Sequence, residues 1–106
     1  MPSWTDIAGE VERLLGASSI APATAANAND FLNIATRSIA DCDSVSVNGY
    51  MESVLLNWTA PAIQLEILPQ SFEIYSWDEG PFVVREFKHE PGNGPLGPMM
   101  ELLPAR

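Results

Sequence analysis

Positive charge is nearly absent from the middle of this sequence. The chain of 106 residues has 14 acidic residues and only 5 Lys and Arg, which gives a formal net charge of −9 at pH 7. No Lys or Arg occurs between Arg37 and Arg85, whereas the acidic residues in that interval are Asp41, Asp43, Glu52, Glu66, Glu73, Asp78 and Glu79. Because this field repels phosphates, we expect no direct nucleic-acid ligand and a preference for basic partners.

The sequence has one cysteine, Cys42, and therefore cannot form an intramolecular disulfide bond. Because nothing in this cysteine content argues for an oxidising compartment, we expect a cytoplasmic location. The N-terminal segment lacks a basic stretch followed by an apolar run. No stretch approaches the roughly 18 to 20 apolar residues that a membrane helix needs. We therefore predict neither secretion nor membrane insertion.

Residues typical of catalytic or metal sites are also scarce. His89 is the single histidine, with Glu86 and Glu90 nearby, and one His with one Cys cannot supply the ligands of a zinc site. Cys42 lies between two aspartates whose charges disfavour the reactive thiolate. No glycine-rich phosphate-binding loop is present. We expect no metal, no cofactor and no enzymatic activity, and we interpret His89 as solvated and Cys42 as half-buried.

Helical periodicity predicts two N-terminal helices. Ser3 is in N-cap position with Asp6 three residues later, and an amphipathic pattern follows, which predicts a helix over residues 4–15. Residues 17–26 are mostly small and are predicted to form a connection. A second helix is predicted after it, with Thr24, Asn27 or Asn29 as its cap. The residues predicted on its apolar face are Phe31, Ile34, Ala35, Ser38 and Ile39.

From Ser44 onward the apolar residues alternate with polar ones, which predicts strands separated by turns. Asn48-Gly49 predicts a two-residue hairpin turn that places Val47 opposite Tyr50. The last strand is predicted over residues 82–88. The residues predicted on the core face of this sheet are Val45, Val47, Tyr50, Val54, Leu56, Trp58, Ile63, Leu65, Ile67, Phe72 and Ile74.

Together these elements predict an α+β fold. We expect two N-terminal helices packed on one face of a four- to five-stranded antiparallel meander. Residues 1–88 are predicted to form this single domain, and residues 89–106 a Gly/Pro-rich irregular tail that ends in a short apolar turn.

The same alternation predicts a candidate binding surface on the face of the sheet away from the helices. The predicted partner-binding residues are Glu66, Glu73, Tyr75, Trp77, Asp78 and Glu79. Tyr and Trp are enriched in interface hot spots, and carboxylates around them complement Arg or Lys of a partner. The alternative is that the two aromatic side chains pack against loops or the C-terminal turn.

In size and acidity the chain resembles small phage and mobile-element proteins that neutralise a partner, such as immunity proteins, anti-CRISPR inhibitors and DNA mimics. This resemblance implies a non-enzymatic inhibitor that occupies a basic surface of a partner protein, including the surface of a nucleic-acid-binding protein. Two alternatives stay open. One is a homodimer or other homo-oligomeric accessory subunit that buries a sheet edge or the apolar tail. The other is a small enzyme that uses Glu86, His89 or nearby carboxylates.

Overall fold

The computed structural model describes residues 3–17, 20–50, 52–59, 62–77, 83–89 and 96–105. Two helices precede a five-stranded antiparallel sheet, and a short helix follows it. The elements are α1 (Trp4–Gly16), α2 (Pro22–Ser38), β1 (Ser44–Asn48), β2 (Ser53–Thr59), β3 (Ala62–Ile67), β4 (Ser71–Ser76), β5 (Val83–Lys88) and α3 (Gly97–Met100). Each strand pairs with the next one along the chain. The predicted α+β fold with an antiparallel meander is therefore confirmed.

Helix α1 begins at the predicted capping box. The Ser3 hydroxyl accepts a hydrogen bond from the Asp6 backbone N at 3.2 Å, and the Asp6 carboxylate accepts one from the Ser3 backbone N at 3.1 Å. These two bonds satisfy N–H groups that have no partner inside the helix. At the same end, Trp4 Nε1 donates to the Ile39 carbonyl at 3.1 Å. The start of α1 is thereby tied to the end of α2.

Helix α2 begins earlier than predicted. Pro22 occupies its first position, where a missing N–H costs no helical hydrogen bond. The helix therefore includes the second half of the predicted connection. The N-cap is Ala21, without a side-chain cap, so Thr24, Asn27 and Asn29 do not cap the helix. Thr24 and Asn27 instead belong to the helix itself, and their side chains are buried in the fold.

The buried face of α2 is also rotated relative to the predicted one. Phe31, Ala35 and Ile39 are buried as expected, but Ile34 is 45% exposed. Leu32 is buried in its place, because the face that starts at Ala25 and Ala28 continues at helical spacing through position 32. The side chain of Ser38, also predicted on this face, lies outside the described part of the structure.

The hairpin between β1 and β2 is longer than predicted. Asn48 pairs with Ser53, so four residues, not two, separate the strands. The Asn48 side chain accepts a hydrogen bond from the Tyr50 backbone N at 3.1 Å, and Glu52 adopts a positive φ of 53°. The predicted pair of Val47 with Tyr50 is therefore wrong, and Tyr50 is 99% exposed instead of lying on the core face.

The core lies between the helices and the inner face of the sheet. Leu65 on β3 is fully buried, with Leu56 on β2 and Ile74 on β4 directly opposite it. The predicted pairing of Ile67 with Phe72 is confirmed. The described part of β5 starts at Val83; Phe82, predicted to begin this strand, lies outside the described residues.

The C-terminal segment packs on the same core. Leu96, Met99 and Leu103 are buried, and Ala105 forms a β-bridge with Ile39. The apolar turn expected near residue 99 takes the form of α3. The division into a domain of residues 1–88 and a tail stays a prediction. Within the described segments, no helix has both the length and the apolar character needed to cross a membrane.

Candidate functional site

Three glutamates form one row across the outer face of the sheet. Glu66 on β3 pairs with Glu73 on β4, and Glu73 pairs with Glu86 on β5. Side chains directly opposite each other in an antiparallel sheet have Cβ atoms about 4.5 to 5.5 Å apart, and like charges at these positions are destabilising. The stability of the sheet alone does not favour this arrangement.

Glu66 lies deeper than the alternation of β3 alone predicts, with only 5% of its surface exposed. Its Oε2 accepts hydrogen bonds from Ser53 Oγ at 2.5 Å and from Asn48 Nδ2 at 3.3 Å. Its Oε1 lies 3.0 Å from the Tyr75 hydroxyl. Glu66 is the buried end of the row. Its carboxylate stabilises the outer face, because side chains from β1, β2 and β4 hydrogen-bond to it.

Tyr75 connects two carboxylates of the row. Its hydroxyl lies within hydrogen-bond distance of both Glu66 Oε1 and Glu73 Oε2. A phenol has one hydrogen and donates to one acceptor at a time, so the two carboxylates share a single donor. Burial, followed by these hydrogen bonds to Glu73 and Glu66, raises the pKa of Tyr75. The phenol therefore stays protonated at neutral pH.

Trp77 extends this surface beyond the end of β4. Its ring stacks on that of Tyr75, with centroids 6.5 Å apart and planes inclined by 19°. Trp77 is 47% exposed, and its backbone N donates to the Ala62 carbonyl at 3.1 Å. We refer to Glu66, Glu73, Tyr75, Trp77 and Glu86 as the acidic aromatic face.

The structure thus brings together Glu66, Glu73, Tyr75 and Trp77, four of the predicted partner-binding residues. The other two, Asp78 and Glu79, lie outside the described residues. Sequence reasoning missed Glu86, which it had grouped with His89. Alternation along β5 carries the missing signal, because it turns position 86 to the same side as the outer residues of β4.

His89 is buried, so the prediction that it is solvated is wrong. Its Nε2 lies 3.0 Å from Asp30 Oδ2, and its ring centroid is 5.3 Å from that of Phe72. Glu86 lies on the outer face of the sheet and is not its partner. Because only 3% of the His89 side chain is exposed, a substrate has no access to the imidazole. The pair links α2 to the end of β5.

Asn27 reinforces this junction between α2 and the sheet. Its Nδ2 lies within hydrogen-bond distance of the carbonyls of Leu68, Pro69 and His89, at 2.8, 3.1 and 3.2 Å. Asn27 Oδ1 and His89 Nδ1 are buried, and neither has a hydrogen-bond partner among the described residues. The cluster is enclosed by the fold, so its geometry indicates a structural role for these polar groups.

Cys42 is fully buried rather than half-buried. Burial, with smaller contributions from the charges of Asp43 and Asp41, raises the pKa of the thiol to about 11. The thiol is therefore neutral at physiological pH and is a poor nucleophile. Among the residues that the structure describes, no group of three His, Cys, Asp or Glu side chains is arranged to hold a metal ion.

Comparison with known proteins provides no relative from which a role can be transferred. No protein-family model matches this sequence, and no curated protein or solved structure is significantly similar to it. The interpretation of the chain therefore depends on its own residues and their geometry.

Proposed function

We propose that this chain is a non-enzymatic binding module whose acidic aromatic face occupies a basic surface of a partner protein. The observation that carries the proposal is the row of Glu66, Glu73 and Glu86. Like charges directly opposite each other weaken a sheet, but they concentrate negative potential on a rigid surface. The accessible part of the row, Glu73 and Glu86, therefore suits the attraction of a basic partner.

The hydrogen bonding of the row supports the same proposal. Glu66 is buried and already accepts hydrogen bonds inside the chain. Glu73 is half-buried and Glu86 is exposed, so their carboxylates are the ones that can accept hydrogen bonds from a partner. An Arg side chain of a partner offers several N–H donors in a planar fork that matches carboxylates. Such a side chain donates hydrogen bonds to these carboxylates and neutralises part of their charge.

The stacked rings of Tyr75 and Trp77 provide an apolar anchor beside these charges. Binding energy at interfaces concentrates in buried aromatic and Arg side chains, and guanidinium groups also stack on aromatic faces. The exposed part of the Trp77 ring becomes buried when a partner covers it. The carboxylates then contribute mainly to steering and to the rejection of acidic surfaces.

The proposal includes an inhibitory or neutralising role of the kind found in phages and mobile elements, exerted in the cytoplasm. A nucleic-acid-binding protein is the partner class that fits best, because its basic surface complements a net charge of −9.

The experiment that tests the proposal is affinity capture from a lysate of the native host, with the wild type and the Trp77→Ala variant immobilised side by side. A protein retained by the wild type and lost with the variant supports it. Equal retention by both contradicts it.

Removal of the Glu86 charge is expected to have opposite effects on folding and on binding. Glu86→Gln relieves repulsion with Glu73 and should raise the free energy of unfolding by about 0.2 to 1 kcal/mol. The same change should slow association with the captured partner, because the steering field becomes weaker. Urea unfolding and surface plasmon resonance measure the two effects.

The matched control is Glu12→Gln, which removes the same formal charge from an exposed position on α1. It should change neither stability nor association by a comparable amount. If Glu86→Gln destabilises the protein and leaves association unchanged, the row has a structural role and the proposal fails.

Self-association is a second candidate, favoured by the edge strand β1. Edge strands are usually protected from pairing by charged residues or proline. β5, at one edge of the sheet, carries Arg85, Glu86 and Lys88, whereas β1, at the other edge, has no charged residue and no proline. A dimer that forms through β1 should persist at high salt in sedimentation velocity experiments. A monomer at all concentrations contradicts this second candidate.

A further inference from the structure

A cavity of about 250 Å³ opens on the inner side of the sheet, where β3, β4 and β5 meet the C-terminal segment. The described residues that line it are Ile63, Ile74, Ser76, Arg85 and Leu102. The register explains this grouping, because Ile63 pairs with Ser76 and Ile74 pairs with Arg85. Leu102 contributes from the C-terminal segment and is 39% exposed. The described lining therefore combines apolar side chains with the polar groups of Ser76 and Arg85.

Among the basic side chains that the structure describes, only Arg85 lines this cavity. Arg13 forms an ion pair with Glu10 at 2.5 Å, and Lys88 lies on the outer face of the sheet, like Glu86. Arg85 is exposed and has neither an ion pair nor a side-chain hydrogen bond with any part of the chain that the structure describes. No carboxylate within the described segments pairs with it, although the sequence has 14 acidic and 5 basic residues.

An unpaired guanidinium beside apolar walls selects for a particular kind of ligand. The planar N–H fork of Arg binds a carboxylate through two parallel hydrogen bonds, and the Ser76 hydroxyl adds a further donor at the same cavity. Ile63, Ile74 and Leu102 offer contact to an alkyl or aryl group. Sites for drug-sized ligands occupy about 300 to 1,000 Å³, so a cavity of this size accepts only a smaller molecule.

We propose that this cavity binds a small monocarboxylate with an apolar body. The carboxylate lies against Arg85 and Ser76, and the apolar body covers Ile63, Ile74 and Leu102. This site is separate from the acidic aromatic face, because its strand residues point to the inner side of the sheet and Glu73 and Glu86 point to the outer side. The inference therefore does not depend on the proposed function.

Titration of the full chain with octanoate tests the proposal, with octanol and octylammonium as probes of equal chain length. Isothermal titration calorimetry and NMR chemical shifts report the binding. We expect one saturable site for octanoate, shifts at Ile63 and Ile74, and binding of the other two probes weaker by about tenfold or more. Since a net charge of −9 attracts a cation non-specifically, a preference for octanoate requires a local positive group.

Arg85→Gln should weaken octanoate binding by about tenfold or more, whereas Arg85→Lys keeps the charge without the fork and should give an intermediate loss. Lys88→Gln is the matched control, because it removes the same charge from the same strand on the outer face. It should leave binding unchanged. Thermal unfolding confirms that each variant is folded. Absence of saturation, equal binding of octylammonium, or equal losses for Arg85→Gln and Lys88→Gln overturns the proposal.

Discussion

Replacement of Leu65 by alanine is expected to lower the free energy of unfolding by about 2 to 5 kcal/mol. Leu65 is fully buried and lies between Leu56 and Ile74 in the middle of the sheet. The truncation removes apolar contacts, and close-packed neighbours on both strands can only partly fill the space that is left. Urea unfolding followed by tryptophan fluorescence measures the change.

Gln64→Ala is the control for this experiment, because the next residue along β3 faces the opposite side of the sheet. Gln64 is half-buried, and its Nε2 donates to Asn57 Oδ1 at 2.6 Å. Loss of one such bond near the surface should cost less than about 1.5 kcal/mol. A loss below about 1 kcal/mol for Leu65→Ala, or a larger loss for Gln64→Ala, would show that the inner and outer faces are wrongly assigned.

The second large effect is expected in binding, at Trp77. Trp77→Ala should reduce affinity for the captured partner by about 2 kcal/mol or more, which is roughly 30-fold, mainly through faster dissociation. The physical reason is the loss of an aromatic anchor that is stacked on Tyr75 and still 47% exposed in the free protein. Surface plasmon resonance with the purified partner gives both rate constants.

Tyr50→Ala provides the matched control, since Tyr50 is an aromatic residue that is 99% exposed in the β1–β2 connection and does not belong to the acidic aromatic face. Its removal should leave both rate constants unchanged. Circular dichroism must show that each variant is folded. A loss for Tyr50→Ala together with unchanged binding of Trp77→Ala would move the interface to the hairpin.

Local sequence signals predict the elements of this fold well where the side chains that decide them are close in sequence. The capping box of Ser3 and Asp6 fixes the start of α1, and the alternation of Ile63, Leu65 and Ile67 fixes the faces of β3. The start of α2 is harder to predict from the sequence, because its first turns contain small residues that show no clear apolar period. Their burial results from tertiary contacts, and Thr24 donates a hydrogen bond to the Glu52 carbonyl at 2.9 Å.

Contacts between residues far apart in sequence explain the remaining differences. Alternation places Glu66 on the outer face, but its burial depends on Ser53 and Asn48, which only the pairing of β1, β2 and β3 brings near. The Asn48 side chain also accepts a hydrogen bond from the Tyr50 backbone N within the longer β1–β2 connection. His89 is buried because Asp30, which is 59 residues away, lies beside it in the fold.

The association rate constant of Glu73→Lys at low and high salt tests the acidic aromatic face most directly. Glu73 lies between Glu66 and Glu86, so a lysine at this position meets opposite charges on both neighbouring strands and should not weaken the sheet. For the wild type, association with the captured partner should slow steeply between about 0.05 and 0.5 M salt. The variant should associate more slowly at low salt and depend less on salt. An unchanged rate and an unchanged salt dependence would contradict the assignment of this face as the binding surface.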